Sequence, residues 1–231
     1  CEYCLGGIGH FCEHMTGIGT TVHGGFAEYC VVAASQAYRF SDSVSYDAAA
    51  MTEPGSCCLH GIDLCEIQCG STVAVIGCGM IGSLVAEMLK VYDLEVLAFD
   101  PFMSPEKAQK LGVTPCSLEE LFSTCSVVSN HLANNPQTQK MLTYKHFSSM
   151  LPYATFLNTG RGAQVVEEDL VRALTERPDL TAVLDVTHPE PSPAGHPFYS
   201  LPNCFMTPHI AGSLGGEVVR MAEYMVDEYE R

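Results

Sequence analysis

The chain has 231 residues and is 47% hydrophobic, enough for one large domain or one domain plus part of another. Its net charge of −16, from 11 basic and 27 acidic residues, argues against nucleic acid and anionic membrane surfaces as partners. The sequence contains no run of 18 apolar residues and no signal-like segment, so the expectation is a soluble, cytoplasmic protein with no membrane contact.

Nine of the 12 cysteines lie between Cys1 and Cys78. Beside a nucleotide-binding pattern, that distribution suggests metal ligands and buried thiols more than disulfides. Cys1, Cys4 and Cys12 have the spacing C-x2-C-x7-C. Three thiolates on a short loop suit tetrahedral zinc, whereas a closed structural site takes four ligands. Free thiols at a chain end are the alternative. Ala27 to Tyr38 reads as strands. Ser45 to Met51 begins a helical region that Glu53-Pro54-Gly55 interrupts, and Cys57 to Cys65 reads as a second helix. Cys57, Cys58, Cys65 and Cys69 read as small buried hydrophobes or hinge residues. His10, His14, His23 and His60 have no fixed partner spacing and read as surface or core histidines.

Thr72 to Ile76 is a short β-branched run, the pattern of a buried strand. Gly77, Gly79 and Gly82 follow in the spacing G-x-G-x-x-G. Ser83 to Tyr92 reads as a helix, and Leu94 to Phe99 as a strand ending in Asp100, eighteen residues past Gly82. Strand, tight turn, helix, strand and acid together form the dinucleotide fingerprint in its context. Gly77 permits the turn, Gly79 lets backbone approach a pyrophosphate, and Gly82 lets helix and strand pack closely. The helix N-terminus offers N–H groups to phosphate. Asp100 can accept from an adenosine ribose and would repel a 2′-phosphate. The nearest following basic residue is Lys107, so NAD is expected in preference to NADP.

Further along, Ser104 caps a helix from Pro105 to Gly112, and Ser117-Leu118-Glu119-Glu120 is a capping box for a short helix to Ser123. Ser126 to Leu132, Ala154 to Asn158, Thr181 to Val186 and Cys204 to Thr207 read as strands. Thr143 to Met150, Glu167 to Glu176 and Gly215 to Arg231 read as helices. The alternation predicts an α/β fold with a doubly wound parallel sheet.

In such a sheet, ligand groups gather at the carboxyl ends of strands. Three polar residues are expected there: Arg161 in Asn-Thr-Gly-Arg-Gly, Glu190 in Asp-Val-Thr-His-Pro-Glu-Pro, and His209 in Thr-Pro-His-Ile-Ala-Gly. Their order and spacing resemble the D-isomer-specific 2-hydroxyacid dehydrogenases, from about residue 78 to the end. The resemblance implies hydride transfer between C2 of a 2-hydroxy acid and the nicotinamide of NAD. It implies that Arg161 holds the substrate carboxylate. His209 would take or give the hydroxyl proton, and Glu190 would hydrogen-bond the imidazole and keep it charged when it acts as acid. It further implies that Asp185 grips the nicotinamide carboxamide, with Met80, Ile81, Thr159, Gly160, Ile210, Ala211 and Gly212 lining the cofactor beside Gly77, Gly79, Gly82 and Asp100. His131 matches a family histidine and reads as structural. Two departures stand out: Ala133 replaces a usual proline, and Gly160 replaces the usual Ala or Ser, which is expected to loosen the turn under Arg161.

The first third resembles a different family, the zinc-dependent medium-chain alcohol dehydrogenases. Cys-Glu-Tyr-Cys-Leu-Gly-Gly with Cys12, Gly24 to Tyr29, Thr52-Glu53-Pro54, and Cys69 to Gly77 carry that likeness. It implies a structural zinc on Cys1, Cys4 and Cys12, and an incomplete β-rich piece of a catalytic domain. The expected organisation is therefore 1–68 as an alcohol-dehydrogenase-like segment and hinge, and 69–231 as a Rossmann domain. Relatives of both kinds imply dimers or tetramers, and a homodimer is the expectation here. The alternatives are a zinc-type alcohol or polyol dehydrogenase fragment, or a non-catalytic NAD-binding hybrid without a complete substrate domain.

Overall fold

The computed structural model describes residues 1–5, 12, 14, 16–18, 22–25, 27–52, 55, 67, 70–207, 209 and 211. These fall into two compact units, one N-terminal to residue 57 and one from there to residue 212. The expected helices at Cys57 to Cys65 and Gly215 to Arg231, the Glu53 and Pro54 of the alcohol-dehydrogenase-like motif, and the expected cofactor residues Ile210 and Gly212 lie outside the described residues.

In the first unit, α1 spans Glu2–Leu5 and α2 spans Tyr46–Ala50. Ser45 caps α2, its hydroxyl accepting from the Ala48 N–H at 3.1 Å. The stretch from Ala27 to Tyr38, expected as strands, contains none; its one regular piece is a 3₁₀ turn at Ala34–Gln36. Tyr29 and Val31 are almost fully exposed. β-branched and aromatic residues favour a strand only where a neighbour pairs the backbone and covers a face. Among the described residues of this unit, the sheet-type pairing is a single bridge, Ile18 to Val22.

The second unit follows the expected alternation. In chain order it contains β1 (Thr72–Ile76), α3 (Met80–Leu89), β2 (Glu95–Phe99), α4 (Pro105–Leu111) and β3 (Thr114–Pro115). Then come α5 (Leu118–Thr124), β4 (Val127–Asn130), α6 (Tyr144–Ser148), β5 (Thr155–Asn158), α7 (Glu167–Glu176), β6 (Thr181–Leu184) and β7 (Cys204–Met206). The seven strands form one parallel sheet in the order β3-β2-β1-β4-β5-β6-β7. Successive strands are added outward from β1 to β3 on one side and from β4 to β7 on the other, so the strand order reverses between β1 and β4 and opens a crevice at their carboxyl ends.

Two apolar layers cover the sheet. Val73 and Val75 of β1 pack on one side with Val85, Ala86 and Leu89 of α3. Ala74 and Ile76 pack on the other with Leu121, Phe122, Phe147 and Phe156. The period-two alternation of strand side chains makes this split, and burial on both faces explains the continuous apolar run of β1. Helix ends follow their caps. Ser104 and Ser117 accept from Lys107 N–H and Glu120 N–H, and Gly112 closes α4 at φ +64°. α3 starts at Met80 rather than Ser83, so Gly82 lies inside its first turn.

Candidate active site

The register aligns the strand ends that carry the site. Ile76 pairs with Phe99 and Asn130, Asn130 with Asn158, Asn158 with Leu184, and Leu184 with Met206. Gly77, Arg161 and His209 follow β1, β5 and β7 at this edge, and Glu190 lies in the loop after β6.

The glycines act through close contacts. Gly77 has φ +85°, and a Cβ there would lie 2.7 Å from Leu132 backbone atoms. A Cβ on Gly82 would lie 1.8 Å from the Gly77 carbonyl oxygen. Gly79, the N-cap of α3, has open space where its Cβ would stand. Both oxygens of Asp100 accept backbone hydrogen bonds, from Cys78 N–H and Phe102 N–H, each at 2.7 Å. Lys107, distant in sequence, donates through Nζ to the Cys78 carbonyl at 2.5 Å. The expected cofactor residues Gly77, Gly79, Met80, Ile81, Asp100, Thr159 and Gly160 line one cavity of about 660 Å³, with His131 and Arg161 in the same wall. That volume lies within the range of small-molecule sites.

His131 faces this cavity as a neutral ring. Its Nε2 lies 2.8 Å from the Ser129 hydroxyl and its Nδ1 lies 3.4 Å from Thr159 Oγ1. Burial pushes its pKa down to about 4.

Arg161 sits on a turn braced by buried amides. Asn130 Nδ2 donates to Asn158 Oδ1 at 3.0 Å and to Gln164 Oε1 at 2.6 Å, and Gln164 Nε2 donates to the Leu132 carbonyl at 2.6 Å. Gly160 N–H donates to Asn158 Oδ1 and Arg161 N–H to Gln164 Oε1. These bonds brace the backbone on both sides of Gly160. A Cβ there would stand only 3.1 Å from Asn130 and Gln164, so glycine suits the crowded amide cluster. The Arg161 guanidinium folds back, with Nη1 donating to the Gly160 carbonyl at 2.7 Å. Sequence reasoning missed Asn130, Asn158 and Gln164; the first two carried a signal, as amide side chains at the ends of apolar strands, whereas Gln164 lies in the 3₁₀ turn after Arg161.

Glu190 and His209 meet as expected, His209 Nδ1 lying 2.5 Å from Glu190 Oε1. Both side chains are more than a third exposed. His209 has φ +56°, in the left-handed region that a side chain seldom adopts. Its N–H donates to the Asp185 carbonyl at 3.0 Å. The Asp185 carboxylate accepts from Thr207 Oγ1 at 2.5 Å and Ala211 N–H at 2.9 Å, bracing both flanks of His209. Asp185, Thr187, Glu190, Ser192, Tyr199 and His209 line a second cavity of about 720 Å³. It shares no lining residue with the first, so Arg161 opens on one cavity and the His209–Glu190 pair on the other. The turn that follows Arg161 packs on the loop that follows β6, since a Cβ on Gly162 would strike the Thr187 carbonyl.

In the other unit, the sulfur atoms of Cys1, Cys4 and Cys12 lie within 4.8 Å of one another. No helix among the described residues is long and apolar enough to cross a membrane.

A parallel sheet with a glycine turn after β1, an acid after β2 and a histidine–carboxylate pair beyond β6 and β7 defines a dinucleotide-binding domain of the dehydrogenase class. Residues 64–211 match the family described as D-isomer specific 2-hydroxyacid dehydrogenase, NAD binding domain, and the chain belongs to that family. A D-3-phosphoglycerate dehydrogenase of Mycobacterium bovis is 34% identical over 144 residues, 62% of this chain and 27% of the relative. The chain thus spans about a quarter of the length of that relative. The NAD complex of a D-isomer specific 2-hydroxyacid dehydrogenase from Lactobacillus delbrueckii ssp. bulgaricus is 28% identical. It has a TM-score of 0.55, covering 68% of this chain and 52% of that one. An NAD-dependent formate dehydrogenase from Staphylococcus aureus, in complex with NAD, is 26% identical with a TM-score of 0.61, covering 83% and 68%.

Proposed function

We propose that this chain supplies the cofactor and acid–base half of an NAD-dependent dehydrogenase acting on the CH–OH group of a 2-hydroxy acid. The observation that carries the reading is the His209 Nδ1 to Glu190 Oε1 contact of 2.5 Å at the carboxyl edge of the sheet. The cofactor fits the glycine wall: Gly79 leaves open space, and a side chain at Gly77 or Gly82 would strike backbone. Gly77, Gly79, Met80 and Ile81 would hold its pyrophosphate, Asp100 its ribose, and Thr159, Gly160, Asp185, Ile210, Ala211 and Gly212 its nicotinamide end. NAD, when bound, supplies the hydride acceptor or donor.

The remaining roles belong to the chain's own residues. Arg161 offers a planar fork of N–H donors to the substrate carboxylate and C2 oxygen, after turning away from the Gly160 carbonyl. The Glu190 bond at Nδ1 fixes the imidazole so that Nε2 exchanges the hydroxyl proton, taking it in oxidation and returning it in reduction. The domain division at residues 68 and 69 is part of this reading. A fluorescence titration of the full chain with NADH, and with NADPH as control, tests the cofactor site. Saturable binding with NADH preferred, followed by NADH oxidation with a 2-oxo acid, supports the reading; NADH binding with no turnover across a panel of 2-oxo acids overturns it.

A second reading concerns the other unit and rests on its cluster of three sulfur atoms. Cys1, Cys4 and Cys12 would supply three of the four positions of a tetrahedral zinc in an alcohol-dehydrogenase-like segment. Metal analysis after dialysis tests it, with one zinc per chain expected and none in Cys4→Ser.

A further inference from the structure

One carboxylate at this edge has no part in the reading above. Glu167 opens α7, and its side chain is nearly buried. Its Oε1 accepts from the backbone N–H of His188 at 2.7 Å, two residues before Glu190. Its Oε2 lies 3.5 Å from His196 Nε2. His196 Nδ1 accepts from the Phe198 N–H at 3.3 Å, which leaves the ring hydrogen on Nε2, facing the carboxylate. Burial pushes the Glu167 carboxyl above its usual range, while the His188 N–H and the nearby His196 oppose that. Glu168 and Cys204 also act on it electrostatically, and Cys204 is itself a half-buried thiol pushed up to about 12, chiefly by burial. A buried carboxylate at this position is costly unless its bonds are made, and the bond it makes is to the loop that carries Glu190.

We propose that Glu167 is a positioning residue for the Glu190–His209 pair. Its Oε1 holds the His188 N–H and so sets where the Glu190 carboxylate meets His209 Nδ1. Gly162, packed against Thr187 and His188, is the second anchor of the same loop. Two residues span at most about 7 Å of extended chain, so Glu190 stands close to the anchor at His188. The catalytic consequence rests on the proposed function, whereas the geometric one does not.

Two variants of the full chain separate length from charge. Glu167→Gln keeps an oxygen at the same reach and removes the charge beside His196. Glu167→Asp keeps the charge and falls one methylene short of His188. The readout is the downfield Nδ1 proton of His209 in the ¹H NMR spectrum, assigned by its loss in His209→Ala; a short charge-assisted bond of this kind marks the pair directly. The resonance is expected to persist in Glu167→Gln and to move upfield or vanish in Glu167→Asp, while both variants keep the wild-type circular dichroism spectrum and NADH affinity. In turnover, Glu167→Asp is expected to lose roughly tenfold or more in kcat at unchanged KM for NADH. An unchanged resonance in Glu167→Asp overturns the proposal, as does loss of the resonance in Glu167→Gln with retention in Glu167→Asp. A wild-type chain that carries the resonance yet turns over no 2-oxo acid overturns the proposed function and leaves the NMR comparison to decide this one.

Discussion

The carboxyl edge of the sheet is built in two different ways. Around β1, β4 and β5 the wall is mainly backbone and buried amide: Gly77 and Gly82 leave no room for a Cβ, and Asn130, Asn158 and Gln164 bond one another at 0–1% exposure. Beyond β6 and β7 the same edge presents Glu190 and His209, half exposed and held by each other and by the loop beneath. The first region is part of the fold, so a change there disturbs packing before it disturbs chemistry. The second can lose a side chain to solvent with little packing cost, so a change there falls on chemistry alone.

Substitutions that respect this division sharpen it, and the largest effect belongs to the backbone wall. Gly82→Val drives a branched side chain into the Gly77 carbonyl, and a cost above about 3 kcal/mol is expected. Thermal melting and NADH titration check it; melting and binding at wild-type levels would erase the distinction. His209→Ala is the counterpart on the other side. Turnover with a 2-oxo acid is expected to fall about 10²–10⁴-fold with NADH affinity and melting temperature unchanged. A fall in NADH affinity of the same size would place His209 in the wall instead.

His131 belongs to the wall yet titrates. Its folded pKa of about 4 lies below the 6.5 of the unfolded chain, so the unfolded state binds more protons between those values. Stability is therefore expected to be complete above pH 6.5 and to be lost as pH falls toward 4, by on the order of 3 kcal/mol from this group. Melting of the wild type and His131→Asn across that window measures it, the variant showing the shallower slope. The smallest effect lies in the other unit. Val31 is 95% exposed, and Val31→Ser is expected to change stability by no more than about 0.5 kcal/mol. A large loss would mean that the Ala27 to Tyr38 stretch is covered after all.

Much of the sheet was legible because its signals are local. Ser104 with Gly112, and Ser117 with Glu120, are caps that act within one turn, and α4 and α5 begin where they say. Glu167–Glu176 has the bounds read from its amphipathic pattern. α3 starts three residues early because the G-x-G-x-x-G spacing places its third glycine in the helix, where the contact with Gly77 is made. The Glu190–His209 contact was legible because its residues follow successive strands. The amide cluster was not: Asn130 and Gln164 are 34 residues apart, and Lys107 is 29 from the carbonyl it reaches. No pattern within a helical turn or a strand records such a meeting.

By itself, the sequence determined the alternation of strand and helix, the caps, the glycine turn and the residues able to do acid–base chemistry, because each depends on neighbours a few positions away. Tertiary structure alone decided which β-branched stretches became strands. Val73 and Val75 found partners on both sides and cover on both faces, while Val31 found neither. It also decided which polar side chains brace the site, because a buried amide or carboxylate is stable only where the fold delivers its hydrogen-bond partner.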